Sequence, residues 1–144
     1  MNAQRIHLTL LDGSSVHRID QVSSLVAQDA SGQFGLLPGH VALVTVLEPG
    51  LFRYKVGEDE TWVYGASAGG VLHCEPQVQA TEVRVVSRRF LWGDEPEALQ
   101  ERLNALLSKE STLRVSTRDS IAQLDQAFYK RMQRLSEMTT NGQE

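Results

Sequence analysis

Two hydrophobic periods divide the chain. From Arg5 to about Ser87, apolar residues recur at every second position. Ile6, Leu8 and Leu10 alternate with His7 and Thr9, Phe52, Tyr54 and Val56 with Leu51, Arg53 and Lys55, and Val83 and Val85 with Glu82 and Arg84. A repeat of two places one side of each strand on a core and the other in water. Turn-forming residues separate the runs at Asp12-Gly13, Ser31-Gly32, Pro38-Gly39, Pro49-Gly50, Gly57-Glu58-Asp59 and Gly69-Gly70. Many short strands at this spacing predict a β-sandwich or barrel.

After Gly93 the period lengthens to about 3.6 residues, that of an α-helix. Asp94 suits an N-cap, with Glu95, Pro96 and Glu97 in a first turn that favours acids and proline. Leu99, Leu103 and Leu106 form one stripe. A Ser- and Thr-rich linker is expected over Ser108 to Thr117. Ser116 and Asp119 then stand in capping-box spacing at the start of a second helix. Its stripe is Ile121, Leu124, Phe128, Met132 and Leu135, and a polar, frayed tail is expected after Met138. The pattern predicts a β-domain, sandwich or barrel, over 1–89 and a C-terminal α-helical hairpin over 90–144. Two helices cannot bury both stripes on each other, so the hairpin needs a further surface, on the sandwich or on another protein.

Composition narrows the function classes. The 144 residues are 41% hydrophobic and 22% charged, as expected for one ordinary globular domain with an appendage. A net charge of -4 argues against a sequence-independent grip on nucleic acid, which needs clustered cations. One cysteine, Cys74, can build neither a disulfide framework nor a thiolate zinc site, and points to a reducing compartment. The opening MNAQRIHLTLLDG is too polar for a signal peptide, and no run approaches the roughly 18 apolar residues of a membrane span. Membrane association is therefore expected only through a partner.

One segment mimics catalytic chemistry. Gly65-Ala66-Ser67-Ala68-Gly69 fits the G-x-S-x-G nucleophile elbow, which needs a strand before the serine and a helix after it. Here Gly70-Val71-Leu72-His73-Cys74 follows, and reads as a strand. The only histidine after Ser67 is His73, with no acid between them. Ser67 is thus expected in a tight turn between strands. His73 and Cys74, as strand neighbours, face opposite ways and form no thiolate pair. The histidines lack metal-ligand spacing, and no phosphate-binding P-loop motif occurs. Neither catalytic residues, a metal nor a cofactor is expected. Lys130, Arg131 and Arg134 lie on the polar side of the second predicted helix, beside Tyr129. They read as a solvated face or as a dock for an acidic partner.

The run from Gly32 to Gly50, GQFGLLPGHVALVTVLEPG, resembles the GEFGILPGHAPLLTALKPG signature of the epsilon subunit of F-type ATP synthases. Gly32, Phe34, Gly35, Pro38, Gly39, His40, Leu43, Thr45, Leu47, Pro49 and Gly50 match in place. Ala66-Ser67-Ala68-Gly69-Gly70-Val71-Leu72 falls where the family has V-S-G-G-F-L. The resemblance implies a flattened sandwich of about ten strands with a C-terminal helical hairpin. It implies a non-catalytic subunit of the central stalk that binds the gamma subunit, rests on the ring of c subunits and helps couple ion flow to ATP synthesis. It places the protein at the cytoplasmic face of the cell inner membrane, held there through the complex.

Position by position, the resemblance assigns the c-ring contact to Gln28, Asp29, Ala30, Ser31, Gly32 and Gln33, with Gln33 standing where the family has glutamate. His40 matches a family histidine and reads as a turn-packing residue. In many bacteria the hairpin extends along gamma toward the alpha and beta subunits and restrains ATP hydrolysis, which would assign an inhibitory contact to Lys130, Arg131 and Arg134. Family members that bind ATP carry I/L-D-x-x-R-A. Leu124-Asp125-Gln126-Ala127-Phe128-Tyr129 lacks its arginine and alanine, so tight ATP binding is not expected. Phe90-Leu91-Trp92-Gly93-Asp94 resembles the divergent second-copy F-type ATPases, some proposed to pump sodium; the ion itself is read by the c ring. The alternative reading is a free-standing β-sandwich adaptor for another protein.

Overall fold

The alternating segments fold as nine strands, seen in a computed structural model that describes residues 4–141 and side chains as far as Glu137. They are β1 (Ile6–Leu11), β2 (Val16–Asp29), β3 (Gly32–Leu36), β4 (Leu43–Leu47), β5 (Gly50–Val56), β6 (Val63–Ser67), β7 (Gly70–Pro76), β8 (Thr81–Ser87) and β9 (Phe90–Trp92). A helix, α1 (Pro96–Asn141), follows. The order β1-β8-β7-β4 makes one layer, and β2, with β3 on one side and β5-β6-β9 on the other, makes the second. All pairings are antiparallel except that of β1 with β8.

The long strand β2 serves both layers. Its first part pairs with β1 from Val16 to Val22, and its second with β3 and β5. The change of layer falls at Gln21, whose φ of 62° is the left-handed conformation that a side chain seldom adopts. Register shifts flank it on both partners, and Gln21 accepts a hydrogen bond from Gly57 N–H at 2.7 Å. Bulged residues of this kind let one strand turn a corner between two sheets.

Between the layers lies the core predicted by the alternation. Ile6, Leu8 and Leu10 from β1, Leu25 from β2, Leu36 from β3, Leu72 from β7 and Val83 from β8 are fully buried. At the far side Phe52 meets Phe90 edge to face at 6.2 Å and Trp92 at 5.7 Å. Gly65 lies under that cluster: a Cβ there would fall 2.3 Å from Phe52 Cζ. The sheet therefore runs past the boundary expected at Arg89, because Phe90–Trp92 pairs with β6.

C-terminal to the sandwich the structure differs from expectation. One continuous helix replaces the two helices and their linker. Ser108 to Thr117 is helical, and Ser116 and Asp119 are interior positions rather than a cap. The reason is chemical. Ser and Thr cost only a few tenths of a kcal/mol each in a helix, whereas a real break calls for Gly or Pro. None occurs between Pro96 and Gly142. The hydroxyls are absorbed by the helix itself, Thr112 donating to Ser108 O, Thr117 to Leu113 O and Ser120 to Ser116 O at 2.9–3.0 Å. The first turn starts at Pro96, with Glu95 O accepting from Leu99 N–H, so Glu95 rather than Asp94 holds the cap position. Residue packing gives two compact units, 1–105 and 106–144. In the first, Leu99 and Leu103 are buried and Arg102 Nη1 donates to Trp92 O at 2.8 Å. In the tail after Met138, the helix continues to Asn141, and 142–144 lie outside the described residues.

Candidate functional site

The residues singled out by sequence fall on two turns. Gln28 to Gln33 forms the β2–β3 hairpin, with Gln28 opposite Gln33 and Asp29 opposite Gly32. The Asp29 carboxylate organises this turn. It accepts from Ser31 N–H at 2.9 Å, from the Ser31 hydroxyl, and from Thr45 Oγ1 on β4 at 2.8 Å. These donors, the Ser31 hydroxyl first and then Thr45, hold its pKa below the usual carboxylate value. Gly32, with φ of 115°, closes the turn. Gln28, Ala30, Ser31 and Gln33 are exposed and Asp29 is half-buried, so the hairpin presents two amides and a hydroxyl around an ionised carboxylate that is tied into the turn.

Pro38, Gly39 and His40 make the second turn. His40 N–H donates to Leu37 O at 3.1 Å, and Gly39 N–H donates to the buried Thr81 hydroxyl oxygen at 2.7 Å. His40 Nδ1 lies 2.8 Å from the next carbonyl, Val41 O. The His40 carbonyl also lies 3.9 Å from Cys74 Sγ on β7, so the turn is tied to the sheet as well as to itself. Phe34 packs against the core, and Gly35 pairs with Val26.

Ser67 is buried at the end of β6, and its hydroxyl accepts weakly from Gly69 N–H at 3.4 Å. Strand β7, not a helix, follows, so the elbow geometry is absent here. His73 lies opposite Val44 and Arg84, whereas Cys74 is buried; burial pushes the Cys74 thiol pKa up. Among the described residues no group of three or more His, Cys, Asp and Glu is placed to hold a metal, and no helix is long and apolar enough to cross a membrane.

A surface that the sequence reading did not single out joins strands β4, β7, β8 and β1. Pairing puts Val46 opposite Val71, Val71 opposite Val86, and Val86 opposite Leu11. Val46 is 68% exposed, Val71 44% and Val86 53%, with Val44 beside them at 67%. These valines form an apolar row across the outer face of one layer, at the end where Asp29 pairs with Leu47. Scattered exposed apolar residues are ordinary, but a contiguous row across strands marks an interaction surface. The signal was present in the sequence: in Leu43-Val44-Thr45-Val46-Leu47 both phases of the alternation are largely apolar, the pattern of a strand covered on both faces.

In the second unit Lys130, Arg131 and Arg134 are exposed. So are Ile121, Leu124, Phe128, Met132 and Leu135, the stripe predicted by periodicity.

Comparison with known proteins adds to this geometry. The family model described as ATP synthase, Delta/Epsilon chain, beta-sandwich domain matches residues 6–93. A protein named ATP synthase epsilon chain from Psychrobacter arcticus is 32% identical over 112 residues, covering 72% of this chain and 80% of that one. The ATP synthase epsilon chain 2 of Cereibacter sphaeroides is 53% identical over 51 residues, 35% of this chain and 34% of its own length. The match thus spans about a third of that relative. A chain in the cryo-EM structure of the Euglena gracilis mitochondrial ATP synthase (OSCP, F1 and c-ring) shares the fold. Its TM-score is 0.56 at 21% identity, covering 74% of this chain and 66% of that one.

Proposed function

Because this chain belongs to the ATP synthase delta/epsilon family, as an F-type epsilon subunit, we propose that it is a central-stalk subunit that couples ion translocation to ATP turnover. In this reading it makes and breaks no covalent bond and reaches the cytoplasmic face of the inner membrane only through the complex. The observation that carries the reading is the exposed apolar row of Val44, Val46, Val71 and Val86 on a sheet whose other face is core. This face docks the gamma subunit. Each valine is already partly covered, so docking adds a fraction of the about 1.5–3 kcal/mol that burial from full exposure would give per side chain. The hairpin Gln28–Gln33, at the same end of the sandwich, rests on the c-ring.

The helix supplies a second contact. Lys130, Arg131 and Arg134 meet acidic surfaces of the alpha and beta subunits and restrain ATP hydrolysis. The domain boundary that matters for this division is the end of the sandwich unit, after Ala105.

Reconstitution tests the proposal. An F-type ATPase stripped of its epsilon subunit is combined with the full chain, with Val46→Lys, and with a triple Lys130→Ala, Arg131→Ala, Arg134→Ala variant. The full chain binds and slows hydrolysis, Val46→Lys binds at least tenfold more weakly, and the triple variant binds normally but slows hydrolysis less. Normal binding by Val46→Lys removes the assigned face. Unchanged inhibition by the triple variant removes the assigned brake.

A further inference from the structure

The outer face of the second layer carries a cation without a counter-ion. Arg53 on β5 stacks its guanidinium over the Trp62 ring, Cζ lying 4.7 Å from the centroid, and Lys55 Nζ lies 4.4 Å from the same centroid. Lys55 has Glu60 at 3.4 Å. Arg53 has no carboxylate partner among the described residues, and its Nε is shut off from solvent with no hydrogen-bond acceptor. A shielded, unpaired guanidinium nitrogen is a rare arrangement, because that group surrenders water and receives nothing in exchange.

Arg53 also lines a cavity of about 190 Å3, with Gln33, Tyr64, Val26, Leu51 and Pro96. The register explains why they meet. Val26 pairs with Arg53 and with Gly35, and Arg53 pairs with Tyr64, so β3, β2, β5 and β6 bring these side chains to one face. The helix start at Pro96 closes the side. The lining is half apolar and half polar. Its polar part offers a guanidinium, a phenol and an amide, all able to donate, to one small occupant.

We propose that this cavity is a binding site for a carboxylate on a short aliphatic stem. The guanidinium fork matches a carboxylate in shape and charge, and Trp62 holds the fork in a fixed plane. Val26, Leu51 and Pro96 cover the stem. The volume is below that of usual ligand pockets, so it takes a group the size of an acidic side chain or a short-chain carboxylic acid rather than a nucleotide. The cavity lies on the face opposite to the valine row and shares only Gln33 with the hairpin proposed to rest on the c-ring.

The test is a titration of the full chain with sodium butyrate, read by the Arg53 Nε–H NMR signal and by tryptophan fluorescence, with sodium phosphate and sodium chloride as controls. Butyrate gives a saturable shift and binds at least tenfold more tightly than phosphate or chloride. Arg53→Gln loses the binding. Gln33→Glu places a carboxylate on the cavity wall; it shifts the Arg53 signal without ligand and weakens butyrate at least tenfold. Because Gln33 is exposed, this variant keeps the test open even if Arg53→Gln fails to fold. A response that does not saturate, phosphate binding as tight as butyrate, or butyrate binding unchanged in Gln33→Glu overturns the proposal. Repeating the titration in the reassembled complex separates the sources: a free carboxylate still binds there, whereas an acidic side chain of a partner subunit displaces butyrate.

Discussion

Gly70 and Val86 approach so closely that a Cβ on Gly70 would stand 1.9 Å from the Val86 carbonyl oxygen, and the glycine's φ is +153°. Both facts exclude a side chain at 70. The obstacle is the backbone of the paired strand β8, at the end of the β7–β8 pairing where Gly70 lies opposite Ser87, and it cannot swing aside as a side chain would. Gly70→Ala is expected to destabilise the fold by at least about 2 kcal/mol. Urea unfolding of the two proteins measures it, and equal midpoints would show that the strands tolerate separation at this point.

Acid should weaken the fold in a defined window. Asp12 accepts from Ser14 N–H at 2.8 Å, and from Ser15 N–H and Oγ at 2.7 and 2.9 Å. The Ser14 backbone bond first, then the Ser15 hydroxyl, lowers its pKa from 3.8 to about 2. Asp29 and Asp59 are lowered too, by the Ser31 hydroxyl and the Thr61 backbone N–H respectively. A depressed folded pKa gives stability that is full above the unfolded value and lost as pH falls through the folded one. Stability should therefore decline from pH 3.8 toward about 2, and Asp12→Asn should flatten that decline. Thermal melts across this range provide the check; identical slopes for both proteins would remove the turn from the account.

Where the sandwich ends can be read by truncation. A chain ending at Ala105 keeps β9, Leu99 and Leu103 and should unfold like the intact sandwich. A chain ending at Arg89 loses Phe90 and Trp92, which meet Phe52 edge to face. Removing one such aromatic typically costs about 3–5 kcal/mol, so this chain should be destabilised by at least about 3 kcal/mol. Denaturant titration of the two fragments compares them directly, and equal stabilities would return the boundary to Arg89.

Legibility in the sequence followed the physics of each signal. Alternation revealed the strands because each has one wet and one dry face, and the glycine- and proline-rich run from Gly32 to Gly50 marked the family because those residues fix backbone shape. The corner at Gln21 left no mark, since glutamine is not a residue that announces a positive φ. The linker over Ser108–Thr117 was misread because Ser and Thr were weighed as loop formers, while their hydroxyls bond back to helix carbonyls. The Gln28–Gln33 hairpin of the candidate site was singled out by its place in the motif. The valine row and the Arg53 cavity were not, because each is assembled across strands far apart in the chain, and only the register brings Val46, Val71 and Val86 side by side.

The most direct measurement of the central claim is site-specific photo-crosslinking within the assembled enzyme, with the photoreactive residue at Val46 in one sample and at Ser31 in another. The account predicts that position 46 crosslinks to the gamma subunit and position 31 to a c subunit. Crosslinks from position 46 to the c ring, or from neither position to either partner, would contradict the assignment of the valine face and of the hairpin beneath it.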